Sequence, residues 1–102
     1  MYKLIVLYDH PDDPKEFDRY YREVHAPLVK KVPGIERIVV NRVVGDPMGA
    51  RPRYFLMAEL HFTDRAAFEA AARTPEFRAT GADLANFAKG KATLLIAEEE
   101  SV

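Results

Sequence analysis

Hydrophobic and polar positions divide the chain into four strand-like runs and two regions of helical spacing. The first run, Tyr2 to Tyr8, is rich in β-branched, aromatic and aliphatic residues, which predicts a mostly buried strand. In the third run, Arg53 to Phe62, apolar residues alternate with a mixed set, so one face of this strand is wholly apolar. The strands are predicted at residues 2–8, 35–45, 53–62 and 92–97.

The first helical region follows the first strand. Asp13 stands before Pro14, which predicts a helix start with proline in the first turn and Glu16 placed to reach back to the cap. Pro33 and Gly34 end the region. Apolar residues at helical spacing predict its buried face: Phe17, Tyr20, Tyr21, Val24 and Leu28.

The second helical region is predicted to be broken. Thr63 and Asp64 are cap residues for the alanine-rich segment 65–73. The Thr74-Pro75 pair closes this segment and opens a new turn. A last helical piece is predicted at 83–87, before the fourth strand.

The order β, α, β, β, α, β is the split βαβ pattern. It predicts an α+β fold of the ferredoxin-like type, with one antiparallel four-stranded sheet, in a single domain over residues 1–102. Right-handed crossovers place the first and third strands in the middle of the sheet. The helices then cover one face, whereas Phe55, Met57 and the aliphatic residues of the second strand lie on the other. An exposed apolar face of this kind predicts a homodimer.

Composition excludes several classes of function. Lys and Arg total 15 against 16 for Asp and Glu, so the chain lacks the basic excess expected for binding nucleic acid or anionic membranes. There is no cysteine, which removes disulfides and thiolate nucleophiles. The first apolar run is too short for a signal peptide, and no run is long enough to span a membrane. We therefore expect a cytoplasmic protein.

His25 is the first candidate for chemistry. At about 100° per residue it lies roughly 70° from the centre of the predicted buried stripe, on the side of Tyr21, where it can face the rim of a pocket. Pro27 cannot donate an N–H to the carbonyl of Glu23, which predicts a kink beside His25. An imidazole there can act as general acid or base, and should then be dispensable for folding. The alternative is a structural histidine on a bent helix, which the residues alone favour.

Two further histidines raise the question of a metal. Glu59 and His61 are two residues apart on the third strand and project from the same face, so they can meet. A third ligand is not evident, and the spacing of Asp9 and His10 matches no ligand set. We predict no metal.

Aromatic residues offer the walls of a small-molecule pocket. The candidates for binding an aromatic or alicyclic ligand are Tyr8, Phe17, Tyr54, Phe62 and Phe87. There is no glycine-rich phosphate loop, and the sole serine, Ser101, lies in the acidic tail. Nucleophilic serine or cysteine catalysis is therefore excluded.

Three longer runs match a known family: YYREVHAPLV in the first helical region, AELHFTDRAAF from the third strand onward, and TPEFRATGADLANFA in the second helical region. They resemble the EthD family of the dimeric α/β-barrel superfamily. The most specific residues are Tyr21, His25, Pro27 and Leu28. The resemblance implies a homodimer whose two sheets close a barrel, with a small-molecule cavity between each sheet and its helices.

The resemblance also shifts the assignment of His25 toward catalysis. Relatives include lactone isomerases and polyketide cyclases or oxygenases that need no cofactor, and members are often grouped with oxidoreductases. In the better understood relatives, the histidine that matches His25 accepts or donates the proton that is transferred. Some isomerase relatives use cysteines, which this chain lacks.

Two hypotheses for the function follow. The protein is a cofactor-independent enzyme with His25 as acid or base and Tyr21 or Tyr8 as partner, which a drug-sized cavity at His25 favours. Alternatively it is a non-catalytic accessory protein that binds a ligand for a separate oxygenase, which a filled core around His25 favours.

Overall fold

Four antiparallel strands form one sheet in the computed structural model, which describes residues 1–102. The strands are β1 (Tyr2–Asp9), β2 (Arg37–Arg42), β3 (Tyr54–Phe62) and β4 (Ala92–Glu98), in the order β2-β3-β1-β4. The helices are α1 (Pro14–Tyr20), α2 (Ala26–Val29), α3 (Arg65–Ala72) and α4 (Pro75–Phe87), with a π-helical segment, Tyr21–His25, between α1 and α2. The ferredoxin-like α+β fold is confirmed, with β1 and β3 in the middle.

The second strand is shorter than predicted. It ends at Arg42 rather than Gly45, because the following loop leaves the sheet and exposes Val44 to 90%. Only Val39 of its aliphatic residues lies on the open face, since Ile38 and Val40 pair with Leu60 and Ala58, which face the helices. A period of two assigns strand faces but does not locate the point where an aliphatic strand becomes a loop.

The starts of both helical regions follow from side-chain caps. Asp13 Oδ1 accepts the N–H of Glu16 at 3.2 Å, as predicted. The carboxylate of Glu16 does not reach back to the cap but bonds to Arg19, one turn along the helix, with Arg19 Nε donating at 2.9 Å. Asp64 caps α3, at the start of the second region, by accepting the N–H of Ala67 at 2.8 Å, as predicted. Thr74 caps α4 by accepting the N–H of Phe77 at 3.2 Å.

The second helical region is broken once, as predicted, but its last part is continuous. Helix α4 runs over 13 residues from Pro75 to Phe87, so the prediction of a separate piece at 83–87 was wrong. Gly81 lies inside this helix without interrupting it. A helical glycine costs about 1 kcal/mol relative to alanine, which tertiary packing readily offsets.

The core lies between the sheet and the helices. The sheet contributes Leu4, Val6, Tyr8, Leu56, Ala58, Leu60 and Phe62, and the helical side contributes Phe17, Tyr21, Val29, Val32, Ala71 and Ala88. The opposite face of the sheet carries no helix. None of the helices has the length and apolar content needed to cross a membrane.

A β-bulge changes the composition of the open face. The pairing of β1 with β3 skips Phe55 between the Tyr8–Leu56 and Asp9–Tyr54 pairs. Its ring packs edge-on against Phe17 of α1 at 5.5 Å, so its predicted place beside Met57 on the open face was wrong. By the register of the strands, the apolar residues on the open face are Ile5, Leu7, Val39, Met57, Leu95 and Ala97.

Candidate functional site

A π-helical segment sets the orientation of His25. The N–H of Ala26 bonds to the carbonyl of Tyr21, five residues earlier, which widens the turn just before Pro27. The predicted irregularity at this proline therefore takes the form of a π-helical turn. Such turns occur often at functional sites.

The wider turn also changes which side chains are buried. Tyr21, His25 and Val29 face the core, whereas Val24 is 36% exposed. The predicted stripe used an unbroken α-helical period and therefore placed Val24 on the wrong face. His25 is only 4% exposed and lies in the wall of a pocket rather than at its rim.

His25 forms a buried pair with Asp83 of α4. The distance from His25 Nδ1 to Asp83 Oδ2 is 2.9 Å, and each side chain is 6% exposed. Asp83 Oδ1 accepts the hydroxyl of Tyr20 at 2.6 Å and the amide of Asn86 at 2.9 Å. The pair links two helices, so His25 has a structural role as well.

The surroundings determine the protonation of the pair. Burial raises the pKa of Asp83, but hydrogen bonds from Tyr20, Asn86 and His25 outweigh burial and leave this pKa below its usual value. Burial lowers the pKa of His25, against the opposing effect of Asp83. Near neutral pH the carboxylate is therefore ionised and the imidazole neutral, with its proton on Nδ1, where Asp83 accepts it. The lone pair of Nε2 makes no hydrogen bond within the chain.

The hydroxyl of Tyr8 is a second unpaired group beside this histidine. Tyr8 is 1% exposed, and its hydroxyl oxygen is buried without a hydrogen-bond partner. Burial, followed by the charges of Tyr21 and Asp83, raises the pKa of Tyr8 strongly, so the phenol stays protonated. Burial also raises the pKa of Tyr21 to about 12. A buried hydroxyl with no partner is rare and is expected to meet a ligand or a water.

A narrow pocket joins these groups. Its volume is about 50 Å³, and strands β1 and β3 and helix α4 form most of its wall. The polar side chains that line it are Tyr8, Tyr21, His25 and Thr80, and it contains no acidic side chain, lysine or arginine. Sites that enclose a drug-sized ligand measure about 300–1,000 Å³. At His25 the structure thus has neither the large cavity nor the filled core that would separate the two hypotheses.

The predicted ligand-binding residues fall in different places. Phe87 packs on His25 with ring centroids 4.7 Å apart, and Phe17 packs on Tyr8 at 5.3 Å, so both lie behind the pocket at His25. The same two rings line a separate, open depression of about 350 Å³ beside α1. Phe62 is fully buried against Phe68 at 5.3 Å. Tyr54 lies at the bulge beneath Arg53. The structure therefore brings Tyr8, Tyr21 and His25 together at the pocket and leaves Phe62 and Tyr54 away from it.

Asp83 is the site residue that the sequence analysis missed. It was predicted only as the start of a short helical piece. In α4 it lies between Thr80 and Phe87 at helical spacing, on the face that points to the core. An acidic residue on the inner face of a helix indicates a buried polar pair. The sequence shows that Asp83 lies on this face only if residues 75–87 are taken as one continuous helix.

The other polar groups form a separate cluster on the open face of the sheet. His61 Nε2 lies 3.1 Å from Glu59 Oε1, so the predicted contact is confirmed. Glu59 also accepts the amide of Asn41 at 2.9 Å and lies 3.6 Å from Lys3 Nζ. The hydrogen bonds from Asn41 and His61 contribute to lowering the pKa of Glu59. His10 bonds instead to the carbonyl of Pro52 at 2.8 Å.

Residues 10–91 match the sequence profile of the EthD domain. The chain belongs to the EthD family. A solved structure of an ethyl tert-butyl ether D (EthD) family protein from Bacillus halodurans is 43% identical, with a TM-score of 0.92 over 98% of this chain and 99% of that one. An uncharacterized 11.0 kDa protein from the thcB-thcC intergenic region of Rhodococcus erythropolis is 36% identical, over 100% of this chain and 98% of that protein.

More distant solved structures share the architecture. SnoaB from Streptomyces nogalater, a cofactor-independent oxygenase, is 18% identical with a TM-score of 0.66, over 99% of this chain and 93% of that one. A dimeric ferredoxin-like protein from Thermobifida fusca is 16% identical with a TM-score of 0.69, over 96% and 90% of the two chains. At these identities the likeness shows the fold alone.

Proposed function

We propose that this EthD protein is a homodimer that binds a small cyclic, aromatic or lactone-like metabolite at the pocket between sheet and helices, with the reacting end of the metabolite inside the pocket. There it carries out acid/base chemistry without a cofactor, with His25 as the base and Tyr8 or Tyr21 as hydrogen-bonding partner. The observation that carries the proposal is the buried pair of His25 and Asp83, which leaves Nε2 of a neutral imidazole unpaired in a pocket.

Each residue has a distinct chemical role. His25 Nε2 removes a proton from a C–H or O–H group of the ligand, and the imidazolium that forms is stabilised by Asp83. The hydroxyl of Tyr8 has no other partner and donates to the ligand oxygen on which negative charge develops. Loss of such a proton is the first step of isomerisation or cyclisation. It also precedes oxidation of an activated ring when dioxygen is the second substrate and accepts the electrons of the ring anion, and SnoaB, which shares the fold, is a cofactor-independent oxygenase.

One observation favours a second candidate function, that of a non-catalytic accessory protein. The pocket measures about 50 Å³ and does not enclose a whole metabolite. A small pocket of this kind is also expected of a protein that only carries a ligand on its surface. The two functions differ in whether the bound compound is turned over.

The open face of the sheet is the reason for proposing a homodimer. Six apolar residues lie there without a covering helix, and the structural neighbour from Thermobifida fusca is described as dimeric. A second copy that packs its own sheet against this face would bury these side chains and the pair of Glu59 and His61.

A thermal-shift screen against metabolites of aromatic and lactone degradation tests the ligand site. A compound at a hundred times its Kd stabilises the folded protein by about 2.7 kcal/mol, on the order of 10 °C in Tm. His25→Gln should weaken binding of the hit, whereas His61→Gln, which changes another buried histidine paired with a carboxylate, should not. A hit that binds both variants as it binds the wild type would place the ligand elsewhere.

A further inference from the structure

The pocket at His25 opens to solvent between Gly81 and Leu94. Both residues line the pocket, Gly81 is exposed on α4, and Leu94 is 49% exposed on β4. A Cβ built on Gly81 would meet no atom within 4 Å, so the space above this residue is free. Because the inner volume holds only the head of a ligand, the remainder must leave through this mouth.

An apolar strip continues outward from the mouth along β4. Leu94 and Ile96 pair with Val6 and Leu4, and therefore point to the helical side of the sheet. Ile96 is 48% exposed on this edge strand. Leu94 belongs both to the pocket wall and to the strip, so the two surfaces are continuous.

The charges around the inner end of the pocket favour a neutral ligand. No lysine or arginine lines the pocket, whereas the ionised Asp83 lies directly behind His25. The negative charge of Asp83 also acts on Tyr8, because it contributes to raising the pKa of the phenol. A ligand carboxylate placed there would lose hydration without gaining a cationic partner.

We propose that the site selects a neutral amphipathic molecule, whose carbonyl head meets His25 and Tyr8 and whose apolar tail leaves past Gly81 along Leu94 and Ile96. This inference rests on the proposed function for the head, and adds the tail subsite and the discrimination against anions. The tail lies partly in solvent, so each methylene should tighten binding about two- to fourfold.

Alkyl δ-lactones and their ring-opened hydroxy acids are suitable probes, because each pair shares one carbon skeleton and differs in charge. Binding to the full-length wild-type protein is measured by isothermal titration calorimetry near neutral pH, from δ-valerolactone, which has no tail, to δ-dodecalactone. Affinity should rise with tail length, and 5-hydroxydecanoate should bind at least tenfold more weakly than δ-decalactone. A flat dependence on tail length, or equal binding of the hydroxy acid, overturns the inference.

Substitutions on α4 locate the tail. Gly81→Leu should abolish the dependence on tail length and lower the affinity for δ-decalactone at least tenfold, whereas Ala82→Leu, at the next exposed position of the same helix, should leave both unchanged. Leucine is a better helix former than glycine, so Gly81→Leu should remain folded. Unchanged binding in Gly81→Leu would show that the tail does not pass this residue.

The experiments distinguish a failure of the proposed function, which concerns the head of the ligand, from a failure of the present inference, which concerns its tail. If Tyr8→Phe and His25→Gln bind the lactones as the wild type does, the proposed function is wrong even where tail length matters. If those variants lose binding but tail length has no effect, only the present inference is wrong. If Gly81→Leu instead weakens dimerisation in sedimentation equilibrium, a second copy of the chain covers the strip and the inference is also overturned.

Discussion

Replacing Asp83 by Asn should reverse the hydrogen bonding of His25. Tyr20 and Asn86 both donate to Oδ1 of Asp83, so the carbonyl oxygen of an asparagine would occupy that position. Its NH2 group would then face Nδ1 of His25, where two donors cannot meet. The imidazole should change tautomer, move its proton to Nε2 and lose the lone pair that faces the pocket.

The magnitude follows from what the substitution removes. Hydrogen bonds to a charged group contribute about 1.5–3 kcal/mol each, but the variant also no longer buries a charge. We therefore expect a loss of about 1–3 kcal/mol in the free energy of unfolding and a folded protein. Any turnover that depends on His25 should fall about 10³- to 10⁴-fold, as in other sites where a histidine base is left in the wrong tautomer.

Two-bond ¹H–¹⁵N correlation spectra of His25, recorded above pH 7, report the tautomer directly and need no ligand. The wild type should carry its proton on Nδ1, and Asp83→Asn should carry it on Nε2. Asn86→Ala is the matched control, because it removes one hydrogen bond to Asp83 but keeps the carboxylate and should keep the wild-type tautomer. The same tautomer in Asp83→Asn and the wild type would refute the reasoning about the pair.

Four further predictions concern Tyr8, the pH dependence, the dimer and metals. Tyr8→Phe should raise the free energy of unfolding by about 1 kcal/mol in urea titrations, because it removes a buried hydroxyl without a partner; a loss of stability would show that this hydroxyl is paired in solution. Burial holds the pKa of His25 below 6.5, so the unfolded chain takes up this proton first and stability should fall as the pH drops below about 6.5. Down to about pH 5, above which the carboxylates stay ionised, the slope due to His25 should be at most about 1.4 kcal/mol per pH unit, and this contribution should be absent in His25→Gln. Sedimentation equilibrium at micromolar concentration should give twice the chain mass, and Met57→Glu on the open face should shift the protein toward monomer; a monomeric wild type would leave that face unexplained. Elemental analysis of the purified protein should find no stoichiometric zinc or iron, and one tightly bound metal per chain would require the pair of Glu59 and His61 to be reassigned as ligands.

The fold could be predicted because it depends on local periodicity. The alternation in β3 and the run Tyr2 to Tyr8 identify the central strands, and the split βαβ order then leaves one sheet arrangement. The errors in the strands occur where tertiary packing decides. Val44 is apolar but lies in a loop, and Phe55 turns to α1 only because β3 bulges opposite the end of β1.

The candidate site could be predicted only in part. His25, Tyr21 and Tyr8 were found because their residue types suit proton transfer and hydrogen bonding, and the structure brings them to one pocket. Asp83 was missed because it is 58 residues away from His25 in the chain. The π-helical turn that buries His25 was also missed, since Pro27 signals an irregularity without stating its form. Pairing between distant helices leaves no periodic signal in either segment.

The most direct test of the proposed chemistry is turnover of a bound compound by the wild type, His25→Gln and His61→Gln. The compound is the best hit of the thermal-shift screen, and its conversion is followed by NMR with each protein confirmed as folded by circular dichroism. The wild type and His61→Gln should convert it at similar rates, and His25→Gln should be slower by about two to four powers of ten. Equal conversion by His25→Gln and the wild type would contradict the assignment of His25 as the base, and binding without any conversion by the wild type would identify a carrier rather than an enzyme.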